Sequence, residues 1–393
     1  MTRVGFIFST NHLGWVGGIN YLTNLFHAVA QVKNSSIELV LIVPPSMPKS
    51  ILSQFPPNNI IFSSFVDRKN IHWKLLRKLS KYALGRDIFA EFFLKTHNVH
   101  VLSHSWLLGK NSDIPVITWI PDFQHRRIPD FFSKKELRHR NKYMLETFKE
   151  SDVILLSSLD AQKDLINFRA EMGSRSKVIN FVSGFSGKEI KFLDAKTIQA
   201  RYKINEKYFY LPAQFWRHKN HKVVIDALEL VAKKNKNILV VCTGNTFDYR
   251  WPKYYYELME YASEKKILNM FCILGIIPYD DILSLMKNSI AVINPSKFEG
   301  WSTTVEEAKS MGKQVILSDI PVHREQNPIN GYYFSPDDPN TLAKILLSLF
   351  EIDPVYDPRT DSDATDNLNA RYLEFGRKYE SLVNELVLSY KKS

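Results

Sequence analysis

The chain has 393 residues, 45% of them hydrophobic, and a formal net charge of +11. That length exceeds one ordinary domain and predicts two, and no run of 18 apolar residues suggests a membrane-spanning helix. The positive charge favours anionic partners, but no nucleic-acid-binding motif accompanies it, so we expect no nucleic-acid partner.

Two further features bear on the compartment. The first nine residues form a short, strand-like segment, which is not typical of a secretory signal peptide. The two cysteines, Cys242 and Cys272, lie in separate strand-like runs and indicate neither a disulfide scaffold nor a metal cluster. We therefore expect a cytoplasmic protein.

Strand-like apolar runs alternate with helical patterns through the first half. The predicted strands are 4–9, 38–44, 99–103, 115–120 and 153–157. The predicted helices are 19–31, 72–84, 134–150 and 160–168. The strands are rich in Val, Ile and Leu rather than alternating, as is typical of sheets covered by helices on both faces.

The second half repeats the same alternation. Its predicted strands are 208–212, 238–243, 271–274, 291–294 and 314–318. Its predicted helices are 221–234, 254–265, 280–287, 304–311 and 341–350. A strand–helix alternation written twice predicts an α/β protein with two doubly wound parallel-sheet domains.

The domain boundaries follow from composition. A glycine- and serine-rich stretch at 183–187 predicts a hinge, and residues 352–369, rich in Asp and Pro, predict a surface loop before a last helix at about 370–391. The predicted domains are 1–190 and 191–365. We expect the terminal segment 366–393 to pack back near the first domain.

The most informative stretch runs from Glu299 to Glu307, between a predicted buried strand and a predicted helix. Carboxylates accept hydrogen bonds from sugar hydroxyls, and free N–H groups at a helix start favour anions. Ligands of parallel sheets bind at the carboxyl ends of strands. The stretch therefore predicts a nucleotide-sugar site. As an alternative, Thr303 and Glu306 form only a capping box.

A second cationic loop follows the predicted strand 208–212. Lys219 can neutralise a diphosphate, and Arg217 either does the same or is simply exposed. Gly244, after the next predicted strand, is expected to line the same edge. We expect Phe215 and Trp216 to be wall or core residues.

Glu299 and Glu307, with seven residues between them, resemble the paired-glutamate motif of the retaining glycosyltransferases of family 4, the glycosyl transferases group 1. Residues 295–301, Gly275 with 279–281, and 331–334 also resemble that family. The similarity covers the second half and, more weakly, the first. It implies the GT-B fold, with two Rossmann-like domains facing a central cleft, and transfer of a hexose with retention of configuration.

The resemblance also implies roles for matching residues. Glu299 would bind hydroxyls of the donor sugar, Glu307 the ribose, and Lys219 the diphosphate. The family places an arginine five residues before Lys219, where this chain has Gln214, so either one cation suffices or Arg217 substitutes. The predicted donor-binding set is Gly17, Gly18, Gln214, Arg217, Lys219, Gly244, Gly275, Ile276, Glu299, Gly300, Trp301, Ser302, Thr303, Thr304 and Glu307.

In the first half, Gly17 and Gly18 follow the first strand, and in the resembling family a Gly-Gly loop here faces the donor diphosphate and the acceptor. Their spacing does not fit the glycine fingerprint of a dinucleotide-binding oxidoreductase. Relatives carry a histidine immediately before an aspartate after the strand 115–120, where this chain has Pro121 before Asp122. We expect His125 to take over that role, with a structural histidine as the alternative; His104 is a weaker candidate.

The predicted catalytic residues are Glu299, Lys219, His125 and Asp122, with no metal or other cofactor. Because no residue declares itself as the nucleophile of a double displacement, we favour a front-face mechanism. The Asp361–Asp363 pair lies in the predicted acidic loop, not at a strand end, and is not expected to bind metal.

The sequence leaves the substrates open. GDP-mannose, UDP-hexoses and GDP-fucose remain alternatives, with mannose favoured by the resemblance, and the acceptor is a glycan or lipid-linked glycan of bacterial surface polysaccharide synthesis. Cations at 74, 77, 78 and 81 place a basic face on helix 72–84, which predicts contact with an anionic membrane at the inner face of the cell membrane, or else an ordinary surface helix. A nucleotide-binding oxidoreductase and a non-catalytic sugar-binding module are the alternative functions.

Overall fold

The computed structural model describes residues 1–9, 16–57, 59–67, 70–104, 106–184, 190–234, 236–352 and 358–390. The chain divides into two compact units. One comprises Met1–Arg126, Ser133–Lys188 and Asn369–Ser393, and the other Arg127–Phe132 and Glu189–Leu368. The segment 127–132, which the sequence places in the first domain, thus groups with the second unit. Residues 185–187 of the predicted hinge lie outside the described residues.

The described part of the first unit contains a seven-stranded parallel sheet in the order β3-β2-β1-β4-β5-β6-β7. Its strands are β1 (Thr2–Ile7), β2 (Ile37–Val43), β3 (Asn59–Phe62), β4 (Val101–Ser103), β5 (Val116–Ile120), β6 (Val153–Leu156) and β7 (Ser176–Val178). The strand order reverses between β1 and β4. In doubly wound sheets, ligands bind at such a reversal, beyond the carboxyl ends of the strands.

The helices of this unit include all four that the sequence predicts and three that it does not. They are α1 (Val16–Ala30), α2 (Lys49–Leu52), α3 (Ile71–Leu84), α4 (Ile88–Thr96), α5 (Gln124–Arg127), α6 (Lys134–Glu150) and α7 (Leu159–Phe168). The bounds of α6 match the prediction because Ser133 and Glu136 form a capping box at its start. Helix α4 was missed; Asp87 caps it by accepting from the Ala90 N–H.

The described part of the second unit contains a six-stranded parallel sheet in the order β10-β9-β8-β11-β12-β13. Its strands are β8 (Tyr208–Pro212), β9 (Leu239–Thr243), β10 (Phe271–Gly275), β11 (Val292–Asn294), β12 (Val315–Ser318) and β13 (Gly331–Phe334). Its helices are α8 (Ala195–Tyr202), α9 (His221–Ala232), α10 (Tyr254–Glu264), α11 (Tyr279–Asn288), α12 (Thr303–Ser310), α13 (Pro321–Gln326) and α14 (Pro339–Phe350). The order reverses between β8 and β11.

Both faces of this second sheet are buried. Successive residues of a strand point to opposite faces, so Phe209 and Leu211 of β8 enter one apolar cluster and Tyr208 and Tyr210 the other. The first cluster includes buried residues of α9 and α14, and the second includes Val305 of α12. This two-sided burial explains why the strands are continuous apolar runs.

The predicted loop at 352–369 is wrong, because α15 spans Pro358–Tyr390. Proline is favoured in the first helical turn and acidic residues near a helix N-terminus, so the same composition that suggested a loop suits a helix start. Asp361 and Asp363 belong to this helix. Its later part packs on the first unit: Tyr379 OH donates to Ser103 Oγ at 2.7 Å, and a Cβ on Gly376 would lie 2.3 Å from the Ala28 carbonyl oxygen of α1.

Candidate active site

Two loops of the second unit meet where its strand order reverses. Residues 213–220 follow β8, and residues 295–302 follow β11. Asn220 joins them, since its Nδ2 donates to the carbonyl oxygen of Pro295 at 3.1 Å and to that of Pro336 at 2.7 Å. The Lys297 N–H donates to the His218 carbonyl at 2.8 Å. The topology and these bonds bring the two predicted site loops to one edge of the sheet.

Lys219 and Glu299 form an ion pair at that edge. Lys219 Nζ lies 2.7 Å from Glu299 Oε1, and the two side chains are only 20% and 11% exposed. Ser296 Oγ donates to the same oxygen at 2.7 Å. Burial raises the pKa of Glu299, but the charge of Lys219 and the hydrogen bonds from Lys219 and Ser296 outweigh it and bring the pKa to about 2. Glu299 is therefore an ionised acceptor of hydrogen bonds near neutral pH.

The start of α12 differs from the predicted capping box. Ser302, not Thr303, is the N-cap, and its Oγ accepts from the Val305 N–H at 3.3 Å. Glu306 is buried and accepts from Gln326 Nε2 at 2.9 Å, so it does not reach back to a cap. Gln326 also accepts from the Ser302 N–H at 3.3 Å, which fixes the helix start.

The first two residues of α12 present the amides that matter for an anion. Thr303 and Thr304 are the first two helical residues, and their N–H groups make no hydrogen bond within the described part of the chain. Helix N-termini leave such donors unsatisfied, and phosphates bind them. Gly300 and Trp301 lie in the loop between Glu299 and this helix start, and both are partly exposed.

Glu307 lies one position further into the helix and joins it to the loop after β10. Tyr279, the first residue of α11, donates its hydroxyl to Glu307 Oε1 at 2.7 Å. Gly275 has a left-handed backbone (φ +69°), and a Cβ built on it meets no atom within 4 Å. Ile276 beside it is 79% exposed. The hydrogen bond from Tyr279 therefore links Glu307, the predicted ribose residue, to the loop that holds the predicted base residues. Open space lies beside Gly275 in that loop.

Gly244, at the same edge of the sheet, contacts the neighbouring loops through its backbone. Its φ is +141°, and a Cβ there would lie 2.4 Å from the Ala213 carbonyl oxygen. Its N–H donates to the Gly275 carbonyl at 2.8 Å. Only glycine lets β9 end this close to the loop after β8.

Arg217 has aromatic neighbours. Its guanidinium lies 5.5 Å from the ring of Phe131 and 5.2 Å from that of Trp251, within the range of cation–π contacts. A second arginine that sequence reasoning missed, Arg250, lies 5.3 Å from the Trp216 ring and is 5% exposed. Gln214 is exposed. Replacement of the missing arginine by Arg217 stays a prediction.

The first unit has its own pocket at the carboxyl ends of β1, β4 and β5, with a volume of about 570 Å³. It is lined by Ile7, Ser9, Arg77, Lys81, His104, Trp106, Leu107, Thr118, Trp119, Ile120, Pro121, Asp122, Arg140, Tyr143 and Met144. Asp122 is thus placed at the pocket as predicted for a strand-exit residue. The sequence assigned Arg77 and Lys81 to a basic helix surface and did not single out Arg140, because the three cations of this lining come from two helices far apart in the chain.

His104 lies at the strand-order reversal of this sheet, directly after β4. It is a non-glycine residue with a left-handed backbone (φ +62°), a conformation found mostly where the surroundings impose it. Its Nε2 lies 2.8 Å from the Tyr21 hydroxyl, and its Nδ1 lies 2.6 Å from Ser103 Oγ. Burial lowers the pKa of His104 to about 3, so the ring is neutral. Its place immediately after a predicted strand is the reason why the sequence named His104 as a weaker candidate.

His125 is enclosed by protein. Its side chain is buried, and its Nε2 donates to Asn141 Oδ1 at 3.1 Å. Burial, with smaller contributions from the charges of Arg140 and Arg126, lowers the pKa of His125 to about 4. This geometry favours the structural alternative for His125. Gly17 and Gly18 lie in the first turn of α1, and residues 10–15 before them lie outside the described residues.

In the described ranges, no three of the His, Cys, Asp and Glu side chains are grouped so as to hold a metal ion. None of the helices described is long and apolar enough to cross a bilayer.

Part of the chain matches a known family of proteins. Residues 194–362 match the family described as Glycosyl transferases group 1. The O-antigen chain mannosyltransferase RfbU of Salmonella typhimurium is 28% identical over 151 residues, which are 38% of this chain and 40% of that protein. The chain thus matches two-fifths of the length of that curated relative.

Solved structures resemble the whole chain. A glycosyltransferase from Rickettsia africae has a TM-score of 0.67 at 16% identity over 98% of both chains. HepE of Anabaena, solved in complex with UDP and glucose, has a TM-score of 0.67 at 15% identity over 98% of this chain and 100% of that one. WaaG, a glycosyltransferase involved in lipopolysaccharide biosynthesis, has a TM-score of 0.56 at 13% identity over 95% of both chains.

These findings confirm the predicted fold class, because both parallel-sheet units correspond to those of GT-B glycosyltransferases. The match to the glycosyl transferases group 1 family lies within the second unit. Assignment to family 4 stays a prediction.

Proposed function

We propose that the protein is a retaining glycosyltransferase that moves a hexose from a nucleotide sugar to an acceptor hydroxyl. The observation that carries the proposal is the partly buried Lys219–Glu299 ion pair at the edge of the second sheet where α12 begins. The group 1 domain match supports it. A cation, an ionised carboxylate and free amides together suit a ligand with a diphosphate and a sugar.

The donor is proposed to lie along this edge. Its diphosphate would bind Lys219 Nζ and the amides of Thr303 and Thr304, while Glu299 accepts hydrogen bonds from the sugar hydroxyls. Glu307, already oriented by Tyr279, would bind the ribose. Gly275 and Ile276 leave room for the base.

The proposed chemistry is a front-face displacement. The bond from the anomeric carbon to the diphosphate oxygen breaks, the acceptor oxygen bonds to the same face of that carbon, and the acceptor proton passes to the leaving phosphate. Lys219 and the α12 amides stabilise the charge that develops on that phosphate. Glu299 is committed to Lys219 and Ser296, which suits an orienting carboxylate better than a covalent nucleophile.

The acceptor is proposed to enter the pocket of the first unit, where Asp122 would bind its hydroxyls. Arg77, Lys81 and Arg140 line the same pocket, and such cations suit a glycan that carries phosphate, as a lipid-linked glycan does. RfbU is named for transfer of mannose in O-antigen chains, which supports mannose as the sugar and a surface polysaccharide as the product. We propose a cytoplasmic enzyme.

Donor binding tests this function directly. We expect a thermal shift of the full-length protein with one of GDP-mannose, UDP-glucose, UDP-galactose or GDP-fucose, and release of the matching nucleoside diphosphate when lipid-linked glycan acceptors are added. NADH serves as the control for the oxidoreductase alternative. A shift with NADH alone would contradict the proposal, and binding of a nucleotide sugar without any transfer or hydrolysis would favour the non-catalytic module.

A further inference from the structure

Helix α3 exposes an apolar stripe that the fold does not use. Ile71, Leu75, Leu79 and Tyr82 are spaced so that they share one helical face. Their exposed fractions are 71%, 58%, 56% and 93%. Leu76, on one flank of this stripe, is 40% exposed. Contiguous exposed apolar surface of this kind marks an interaction site more often than single exposed residues do.

The opposite face of α3 holds the helix to the first unit. The Trp73 ring packs edge-on against Phe65 with centroids 5.1 Å apart. Arg77 Nε donates to the buried Asp87 at 2.6 Å, and Lys81 Nζ donates to Glu150 at 2.6 Å. The helix is therefore anchored without its apolar stripe, and that stripe is left for a partner.

These contacts correct the predicted basic face. The sequence grouped Lys74, Arg77, Lys78 and Lys81 as one surface, but Arg77 and Lys81 are turned inward and line the pocket of the first unit. Lys74 and Lys78 remain exposed, one turn apart, along one border of the apolar stripe. The outward face is thus an apolar stripe edged by cations.

The charge around this face selects the partner. Helix α3 contains no acidic residue, and the chain carries a net charge of +11. Helix α6, which lines the same pocket as α3, adds exposed Lys135, Arg138 and Lys142. A second copy of the chain would bring like charges together in a symmetric contact. An anionic lipid surface satisfies the apolar residues and the cations at once.

We propose that the outward face of α3 binds an anionic lipid bilayer, with Leu75, Leu79 and Tyr82 entering the interface and Lys74 and Lys78 at the headgroups. Arg77 and Lys81, on the inner face of the same helix, would then lie where a lipid-linked acceptor reaches its pocket. The docking surface itself is independent of the donor site, so it stands or falls separately from the proposed function.

Vesicle sedimentation of the full-length protein tests this surface. We expect the wild type to bind vesicles of phosphatidylcholine and phosphatidylglycerol in equal parts, to bind phosphatidylcholine vesicles weakly, and to be released by high salt. Tyr82→Glu should reduce binding to anionic vesicles at least tenfold. Tyr256→Glu is the matched control, because Tyr256 is also on a helix and 72% exposed but lies in the other unit.

A second pair of variants tests the charges. Lys74→Gln/Lys78→Gln should weaken binding to anionic vesicles by about fivefold per lysine. Lys196→Gln/Lys344→Gln removes the same charge from exposed positions of the second unit and should leave binding nearly unchanged. The donor-induced thermal shift checks that every variant is folded.

Several results would overturn the proposal. Absence of wild-type binding to anionic vesicles is one, and equal binding by Tyr82→Glu and Tyr256→Glu is another. Light scattering that shows a dimer in solution, with Tyr82→Glu monomeric, would assign the face to a second copy of the chain. A lost donor shift with intact vesicle binding would instead count against the proposed function alone.

Discussion

The two sheets of this protein present different chemistry at corresponding places. Where the strand order of the second unit reverses, Lys219 and Glu299, in the loops that lead to α9 and α12, form a partly buried ion pair. At the corresponding place in the first unit, His104 is neutral and lies among the rings of Phe6, Tyr21, Trp119 and Tyr379. One edge suits a charged ligand with a fixed pyrophosphate, and the other suits a larger, more varied one.

Under the proposed function, the difference shows how two sheets of the same topology would serve two different substrates. Buried charges are costly unless paired, so the second unit keeps its charges in one compact network. The first unit places the cations of its pocket on helices α3 and α6, and aromatic rings surround His104 at the sheet edge. A small donor of constant structure would need the compact charged site, and a larger, variable acceptor would need the pocket of the first unit.

The largest expected effect comes from removing the cation of the second unit. Lys219→Ala should lower kcat by about 10²–10³-fold, the range for loss of one donor that stabilises developing charge. Steady-state kinetics with saturating donor is the measurement. Lys222→Ala, three residues further along, removes an exposed lysine paired with Asp226 and should leave kcat within about twofold. Equal rates for the two variants would remove Lys219 from the proposed chemistry.

Acid should act on the same ion pair. Glu299 has a pKa of about 2 in the folded protein and an ordinary value of 4.5, so its stabilising contribution is present above pH 4.5 and is lost as the pH falls towards 2. The full difference corresponds to about 3 kcal/mol. Between pH 5 and pH 3, the free energy of unfolding measured with denaturant should therefore fall less steeply for Glu299→Gln than for the wild type. Parallel plots of the free energy of unfolding against pH would show that the ion pair with Lys219 does not lower the pKa of Glu299.

Two glycines of the second unit should respond differently to a methyl group. Gly244→Ala places a Cβ 2.4 Å from the Ala213 carbonyl oxygen and should lower the free energy of unfolding by about 2–3 kcal/mol, with weaker donor binding. Gly275→Ala keeps open space around its Cβ and meets only the left-handed backbone, at about 1 kcal/mol. Urea unfolding measures both, and the reverse order would mean that the loops do not pack as described.

The smallest expected change separates the two units. Asp122→Asn should raise the KM for the acceptor about tenfold by weakening a charge-assisted hydrogen bond, while the donor-induced thermal shift stays unchanged. Asp130→Asn, at an exposed aspartate nearby in the chain, is the matched control. Loss of the donor-induced thermal shift in Asp122→Asn would mean that Asp122 binds the donor. It would contradict the proposal that the two units bind different substrates.

The extent of successful prediction also differs between the units. In the second, a contiguous stretch from Glu299 to Glu307 supplies most of the candidate site, so local pattern was enough to propose it. Even there, the sequence chose Thr303 as the cap, because Thr303 and Ser302 are both good caps and only the hydrogen bond from Val305 to Ser302 decides. The pairing of Lys219 with Glu299 depends on strand order and was not predictable locally.

In the first unit, the pocket is assembled from Ser9, Arg77, His104, Asp122 and Arg140, which are scattered over a third of the chain. Of these, the sequence analysis named Asp122 and, as a weaker candidate, His104, because each follows a predicted strand. The strands β3 and β7, which lie at the two edges of the sheet, were missed. Composition likewise suggested a loop where α15 begins, since Asp and Pro favour both.

A crystal of the full-length protein grown with GDP or UDP addresses the donor site at its centre. The proposal predicts diphosphate oxygens at about 3 Å from Lys219 Nζ and from the amides of Thr303 and Thr304, with the ribose at Glu307. A nucleotide bound away from the start of α12, with the Lys219–Glu299 pair undisturbed, would contradict it.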